Sequence, residues 1–425
     1  MTQQFPEGFL WGASTAAHQV EGNNTKSDCW LMENVEGSMF KEPSGSAVDH
    51  YRLYKEDIAQ MAAMGLNGYR FSIEWARIEP EEGHFDAAEI EHYRNVLLAC
   101  RQWKITPIVT MHHFSSPQWL IREGGWESAG TPARFARYCA HVMRELGDLI
   151  PYVCTINEAN ISLGIKKIMK RHQAQAAAPG AQVGMNTDKM AQMQKNYEAL
   201  SKAFGSPAAG VQAFLAPRSD NGLEIIFKAH TEARAAIREI SPQTQVGVTL
   251  SLYDYQSVAG GAEQAAQALQ DEFLQFLPYM KDDDFFGLQN YTRAVYGADG
   301  ILPVPESAEK TQMGNEYYPE GLEAVVRYAW KHLGIPIMIT ENGVATDDDT
   351  RRVAFIDRAL QGVHACISDG IPVKGYMHWS LMDNFEWQLG FSRTFGLIEV
   401  DRTTQERTVK PSGHHLGSIA TKNTI

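Results

Sequence analysis

The chain has 425 residues, 44% of them hydrophobic and 21% charged. A globular core of that size needs neither disulfides nor a structural metal to hold it. Thirty-eight basic residues against 51 acidic ones leave a formal charge of −13, which argues against nucleic acid as a partner, because phosphate capture needs a basic face.

In chain order, the first short apolar run is Phe9–Ala13. A stretch over Tyr51–Met64 then places apolar residues at three- and four-residue spacing, as an amphipathic helix does. The pattern repeats with runs at Gly68–Ile73, Thr106–Met111 and Tyr152–Ile156, separated by helical patterns over Ala87–Trp103 and Thr131–Leu149. A longer interval follows. Its first part, 166–217, is rich in Ala, Gln, Met and Lys and reads as a helical insertion. Met185, Met190 and Met193 there either line a pocket or belong to a solvated helix. A helical pattern over Leu223–Ile240 leads to the runs Gln245–Leu250, Phe285–Leu288 and Ile335–Thr340. The helical pattern Thr350–Ser368 precedes the last run, Lys374–His378. The runs are rich in Val, Ile, Tyr and Phe and too short for helices.

Eight strands alternating with helices imply a parallel sheet, since parallel neighbours need a crossover connection. Strands apolar on both faces are buried on both sides. The expected fold is α/β: a (β/α)8 TIM barrel forming a single domain over 1–425, with inserted loops at its C-terminal face.

The five cysteines, Cys29, Cys100, Cys139, Cys154 and Cys366, show neither metal-ligand nor redox spacing and read as reduced, buried thiols. No secretory signal is legible at Met1–Phe5, and no run reaches the ~18 apolar residues of a membrane span. A cytoplasmic enzyme with no membrane partner is expected. Nothing in the sequence speaks to its oligomeric state.

In such a barrel the site is built where strands end. Gln19 follows the first strand, and Arg70 lies within the second. His112 and His113 end the third, and Asn157 and Glu158 the fourth. Gln289 and Tyr291 end the sixth, Glu341 the seventh and Trp379 the eighth, which is followed by Glu386 and Trp387. A lone strand-end glutamate is ordinarily a solvated loop carboxylate, and a lone arginine in a strand ordinarily a structural ion pair. Seven ends of eight carrying polar or aromatic residues is a different observation. Glu158 and Glu341 can face each other over a central cleft, and paired carboxylates across a sugar-sized gap are the machinery of glycoside hydrolysis. Trp and Tyr offer flat apolar faces for a sugar ring, while Gln, Asn and His can bind hydroxyls. No phosphate-binding glycine loop, nucleophile elbow or zinc-binding His-Glu-x-x-His motif is present. His112 and His113 are adjacent on a strand and point to opposite sides, so one binds a hydroxyl and the other packs.

The motifs resemble glycoside hydrolase family 1, the β-glucosidase and β-galactosidase family. The resemblance runs from Phe5-Pro-Glu-Gly-Phe-Leu-Trp-Gly-Ala-Ser-Thr-Ala-Ala-His-Gln-Val-Glu-Gly22 through Tyr69-Arg-Phe-Ser-Ile and Thr155-Ile-Asn-Glu158. It continues with Ile339-Thr-Glu-Asn-Gly343 and Trp379-Ser-Leu-Met-Asp-Asn-Phe-Glu-Trp387. It implies Glu158 as acid/base and Glu341 as nucleophile of a retaining β-glycosidase that releases terminal β-D-glucosyl residues, with galactosyl or fucosyl residues as further substrates. Gln19, His113, Asn157, Glu386 and Trp387 resemble the contacts to sugar hydroxyls, and Trp379 the platform under the ring. Arg70 and Tyr291 resemble the residues that hold the nucleophile. The substrate is a small β-glycoside or oligosaccharide, and no cofactor or metal is implied.

In the retaining mechanism the two carboxyls stand about 5 Å apart. Arg70 is expected to lower the pKa of Glu341, and the charge of Glu341 to raise that of Glu158. Three departures from the family pattern stand out. Ala159 replaces the usual proline after the acid/base, which predicts a slightly looser backbone there. Gln289 stands where the family has asparagine, in Gln289-Asn-Tyr291. The family's Gly- and His-containing loop is not recognisable in 161–180. A branch that hydrolyses 6-phosphoglycosides replaces Phe-Glu-Trp with a Ser- and Lys-containing segment. Here Phe385-Glu386-Trp387 is intact, and Glu386 is expected to repel a phosphate. Two rivals remain: a transglycosylase using the same covalent intermediate, and a non-catalytic sugar-binding barrel, which would be expected to have lost a carboxylate.

Overall fold

A computed structural model describes residues 3–165, 187–205 and 211–425. Eight parallel strand positions form the barrel. They are Leu10–Ser14, Gly68–Ser72, Thr106–His112, Tyr152–Ile156, a fifth interrupted at Val248, Phe286–Gln289, Ile337–Asn342 and Val373–Trp379. The fifth strand is two short pieces, Gln245–Gly247 and Thr249–Ser251. The first pairs with the fourth strand and the second with the sixth, so the sheet returns on itself at Val248, whose carbonyl accepts from the Gly287 amide at 3.0 Å. Closure leaves no edge open to solvent.

The helices predicted from periodicity form close to their expected limits, at His50–Met64, Ala87–Gln102, Thr131–Leu146, Asp220–Ile240 and Asp349–Ser368. Local chemistry sets their ends. Asp86 accepts from the amides of Ala88 and Glu89 at one start, and Ser219 from Gly222 at another. Gly65, at φ 98°, closes His50–Met64 with the left-handed residue that favours glycine. Asp220–Ile240 buries Ile225, Ile226, Ala229, Ala233 and Ile237, the stripe a 3.6-residue period puts on one face.

The barrel floor is filled by Ile108, Cys154, Phe285, Met338 and Met377. Met377 fits because Gly12 and Gly68 leave room: a Cβ on Gly12 would lie 2.1 Å from the Gly68 carbonyl oxygen. With the floor packed, only the C-terminal end can open as a cavity.

Of the expected insertion 166–217, residues 166–186 and 206–210 lie outside the described residues. Thr187–Phe204 is a helix, while 211–217 is not helical. Met185 lies outside the description, as do the side chains of Met190 and Met193. Two small sheets were not anticipated. Asp254–Ser257, Arg293–Gly297 and Gly300–Ile301 form one beyond strands five and six, and Ile398–Val400 with Arg407–Val409 forms the other. Their strands are too short to produce a readable period. All five cysteines are buried and unpaired. Among the described residues, no helix is long and apolar enough to cross a membrane.

Candidate active site

A cavity of about 470 Å³ opens at the C-terminal end of the barrel, within the range of small-ligand sites. Gln19, His113, Glu158, Tyr291, Glu341, Trp379, Glu386 and Trp387 all line it. Asn157 and Arg70 do not. Both are fully buried behind the wall.

Glu341 is the best-held side chain of the group. Both ladders of its strand shift register just after Ile339, a local irregularity of the kind that re-aims a side chain. Arg70 Nη1 donates to Glu341 Oε1 at 2.5 Å, and the Tyr291 hydroxyl donates to Oε2 at 2.5 Å. Next in the chain, Asn342 donates to the Asn290 carbonyl and accepts from the Tyr376 hydroxyl. Gly343 must lack a side chain, since a Cβ would lie 2.0 Å from the Trp379 carbonyl oxygen. The Thr-Glu-Asn-Gly motif is therefore a set of local packing demands around one carboxylate.

Glu158 sits in the turn that leaves the fourth strand, at φ 42°, a conformation costly for a side chain with a Cβ. The turn is tied to the fifth strand. The Glu158 amide donates to Thr249 Oγ1 at 2.9 Å, and the Ala159 amide to the Thr249 carbonyl at 3.0 Å. This corrects the expectation of a looser backbone at Ala159. Its N–H makes a bond that a proline could not.

Burial lifts the Glu158 carboxyl well above the ordinary carboxylate range, and the Glu341 charge lifts it further. Glu341 differs from the expectation of a lowered pKa. Burial outweighs Arg70 and Tyr291, which pull it back, and the net direction is upward. Arg70 pulls on both carboxyls, but only Glu341 also accepts hydrogen bonds from Arg70 and Tyr291, so a proton shared between the two resides on Glu158.

Asn157 joins several of the others. Its Oδ1 accepts from Arg70 Nη2 at 2.5 Å and Gln289 Nε2 at 2.7 Å, and its Nδ2 donates to His113 Nε2 at 3.1 Å. These bonds make Asn157 a support for Arg70, Gln289 and His113, and its Nδ2 keeps a second N–H beyond the one given to His113. Gln289 likewise stands behind the wall. The adjacent histidines separate as strand geometry requires. His112 packs against Trp126 and Phe214, while His113 faces the cavity near Trp379. With Nε2 accepting from Asn157, His113 Nδ1 has no partner among the described residues, and neither does Gln19 Oε1. Two buried polar atoms beside a cavity suit a ligand that offers hydroxyls as partners.

Burial and the Glu341 charge push Glu386 up to about 8. The repulsion of a phosphate expected from its charge is therefore weakened at neutral pH. No lysine or arginine stands among the described lining residues to attract one.

Sequence reasoning missed part of the wall. Ser251, Leu252 and Tyr253 line the cavity from the one strand end to which no site residue was assigned. The apolar and aromatic Leu252-Tyr253 pair after the fifth run was the available signal. Thr311, Met313 and Asn315 arrive from an irregular segment between strands six and seven, and no periodicity marks them.

The chain matches the family described as Glycosyl hydrolase family 1 over residues 1–298 and 281–425. It is 29% identical over 455 residues to Beta-glucosidase A of Thermotoga maritima, covering 99% of this chain and 98% of that one. Among solved structures, the beta-glycosidase BGL167 is 49% identical with a TM-score of 0.89, covering 98% of this chain and 97% of that one. A Thermotoga maritima beta-glucosidase in complex with deoxynojirimycin is 26% identical with a TM-score of 0.81, each chain covered at 100%.

Proposed function

The chain belongs to glycosyl hydrolase family 1 and is a retaining β-glucosidase; from that premise we propose that Glu341 is its nucleophile and Glu158 its acid/base. The observation that carries the assignment is the unequal surroundings of two carboxyls on one cavity. Glu341 is held by a guanidinium and a phenol, while Glu158 is buried without such partners and feels the Glu341 charge. That asymmetry separates an attacking carboxylate from a proton donor.

Glu341 attacks the anomeric carbon while Glu158 protonates the departing oxygen, leaving a glycosyl ester on Glu341. The ester carries no charge, so the pKa of Glu158 falls and its carboxylate takes a proton from the incoming water. Arg70 and Tyr291 keep Glu341 aimed. Gln19, His113, Glu386 and Trp387 bind the glucosyl hydroxyls, Trp379 supports the ring, and Asn157 fixes His113 and Arg70. Galactosyl and fucosyl groups are taken by the same cavity. The substrate is a small β-glycoside, a reading supported by the sugar-like inhibitor in the Thermotoga relative. All 425 residues act as one catalytic unit, located in the cytoplasm, a reading supported by five buried, unpaired thiols.

The test is p-nitrophenyl β-glucoside turnover by wild type and Glu341→Gly, with and without azide. Activity lost in the variant and partly restored by azide, with a glycosyl azide of inverted configuration, supports Glu341 as nucleophile. Full activity in the variant would remove it from that role.

A further inference from the structure

The turn carrying Glu386 and Trp387 is gripped from outside by a separate segment, residues 36–45, that follows the short helix Asp28–Asn34. Five contacts make the grip. The Lys41 amide donates to the Gln388 carbonyl at 2.9 Å. Glu42 Oε1 accepts from the Phe391 amide at 3.0 Å, and its Oε2 from Arg402 Nη1 at 3.3 Å. The Arg402 guanidinium lies 3.2 Å from the centroid of the Phe391 ring. Phe40 lies parallel to Phe385, with ring centroids 6.1 Å apart.

The gripped turn is one the backbone does not favour by itself. Trp387 has φ 46°, and Gly390 has φ 59° with ψ −140°, a region essentially reserved for glycine. A Cβ on Gly390 would lie 2.6 Å from Glu42 Cγ, so the absence of a side chain there lets Glu42 close against the turn. Inside the turn, the Glu386 amide donates to the Gly390 carbonyl at 2.7 Å. The far end of the segment is tied to the same turn through the interior. Ser44 Oγ donates to Glu33 Oε1 at 2.5 Å, Glu33 Oε2 meets His18 Nε2 at 3.4 Å, and the His18 ring stacks on Trp387 at 5.8 Å.

We propose that Glu42 is a positioning residue: by holding Gly390 and Phe391 it sets where Glu386 and Trp387 stand in the cavity, and so how tightly the sugar is held. Glu42 is partly exposed and does not line the cavity. It acts through the turn alone. This rests on the reading of Glu386 and Trp387 as sugar contacts.

The experiment measures the inhibition constant of deoxynojirimycin and p-nitrophenyl β-glucoside kinetics in Glu42→Ala, Glu42→Gln, Glu386→Ala and Glu320→Ala. The last breaks a different exposed ion pair, with Arg358. Losing an acceptor for one backbone amide should raise Ki and KM in Glu42→Ala about fivefold, with kcat changed less than about twofold. Glu42→Gln, which keeps an acceptor for the Phe391 amide, should recover most of the loss, and Glu320→Ala should leave both constants alone. Unchanged Ki in Glu42→Ala, or an equal rise in Glu320→Ala, overturns the proposal while Glu386→Ala still weakens binding. If Glu386→Ala leaves Ki unchanged, the sugar-contact assignment falls and the proposal with it.

Discussion

Arg70 reaches two side chains at once: Nη1 donates to Glu341 and Nη2 to Asn157, each at 2.5 Å, with all three residues buried. One planar guanidinium thus couples the proposed nucleophile to the residue that supports His113.

Arg70→Lys should cost kcat/KM about a hundredfold or more on p-nitrophenyl β-glucoside, because a point charge cannot replace a two-handed fork. Arg70 lowers the pKa of Glu341. Weakening that hold lets the pKa rise, so the acid limb of the pH–rate profile should move to higher pH. A profile with its acid limb in place would count against the coupling.

Tyr291→Phe removes the donor on the other oxygen of Glu341. The same upward move of the acid limb is expected, with a loss in kcat of about tenfold. Its fold should be intact, since the ring remains to pack against Phe395.

Glu158 is raised by burial first and by the Glu341 charge second. Glu341→Gln removes that charge, so the pKa of Glu158 should fall, as carbon-13 NMR of the side-chain carboxyl can follow. In the wild-type enzyme the basic limb should belong to Glu158, with activity lost as pH rises through its pKa. Glu158→Ala should hurt substrates with poor leaving groups far more than p-nitrophenyl glucoside, since only poor ones need the proton. Equal losses would remove Glu158 from the acid role.

His378 is buried with its pKa pushed down to about 3, first by desolvation and then by the Arg352 charge. The unfolded chain binds a proton at about 6.5, so the folded state is penalised as pH falls. The stability it contributes is complete above pH 6.5 and is lost on acidification towards 3. Thermal unfolding between pH 7 and 4.5 should therefore fall less steeply in His378→Gln than in wild type.

Gly12→Ala should destabilise by about 3 kcal/mol or more. The new methyl would meet the Gly68 carbonyl carbon and oxygen, at 2.6 and 2.1 Å, and backbone cannot swing aside as a side-chain tip can. Urea unfolding measures it, and a change below 1 kcal/mol, ordinary for a surface site, would show that the barrel floor yields.

The eight strands and five of the helices between them were legible because their signal is local, whereas Ala262–Glu272 and Gly321–Leu333 were not singled out. Tyr152–Ile156 is a short, β-branched-rich run that is almost wholly buried, and Asp220–Ile240 repeats at helical spacing. The interruption at Val248 was not, since Gln245–Leu250 reads as one run and the break arises only from pairing with two different neighbours. At the site, the residue types at strand ends pointed to Gln19, His113, Glu158 and Glu341, and the barrel brings them to one cavity. That Asn157 ties Arg70 and Gln289 to His113 was not legible, because strand position does not say which way a side chain will find its partners. Glu42 carried no signal, being a loop glutamate some 344 positions from the residue it supports.

Sequence by itself determined the period of each element, the order of the motifs and the presence of two glutamates suited to a retaining mechanism. Only the tertiary structure decided how those glutamates are surrounded. The upward shift of Glu341 despite Arg70, the value near 8 for Glu386, and the Ala159 amide bound to Thr249 all depend on burial and partners distant in the chain. Desolvation and cross-chain hydrogen bonds are sums over neighbours in space, and a neighbour in space is what chain order leaves unsaid.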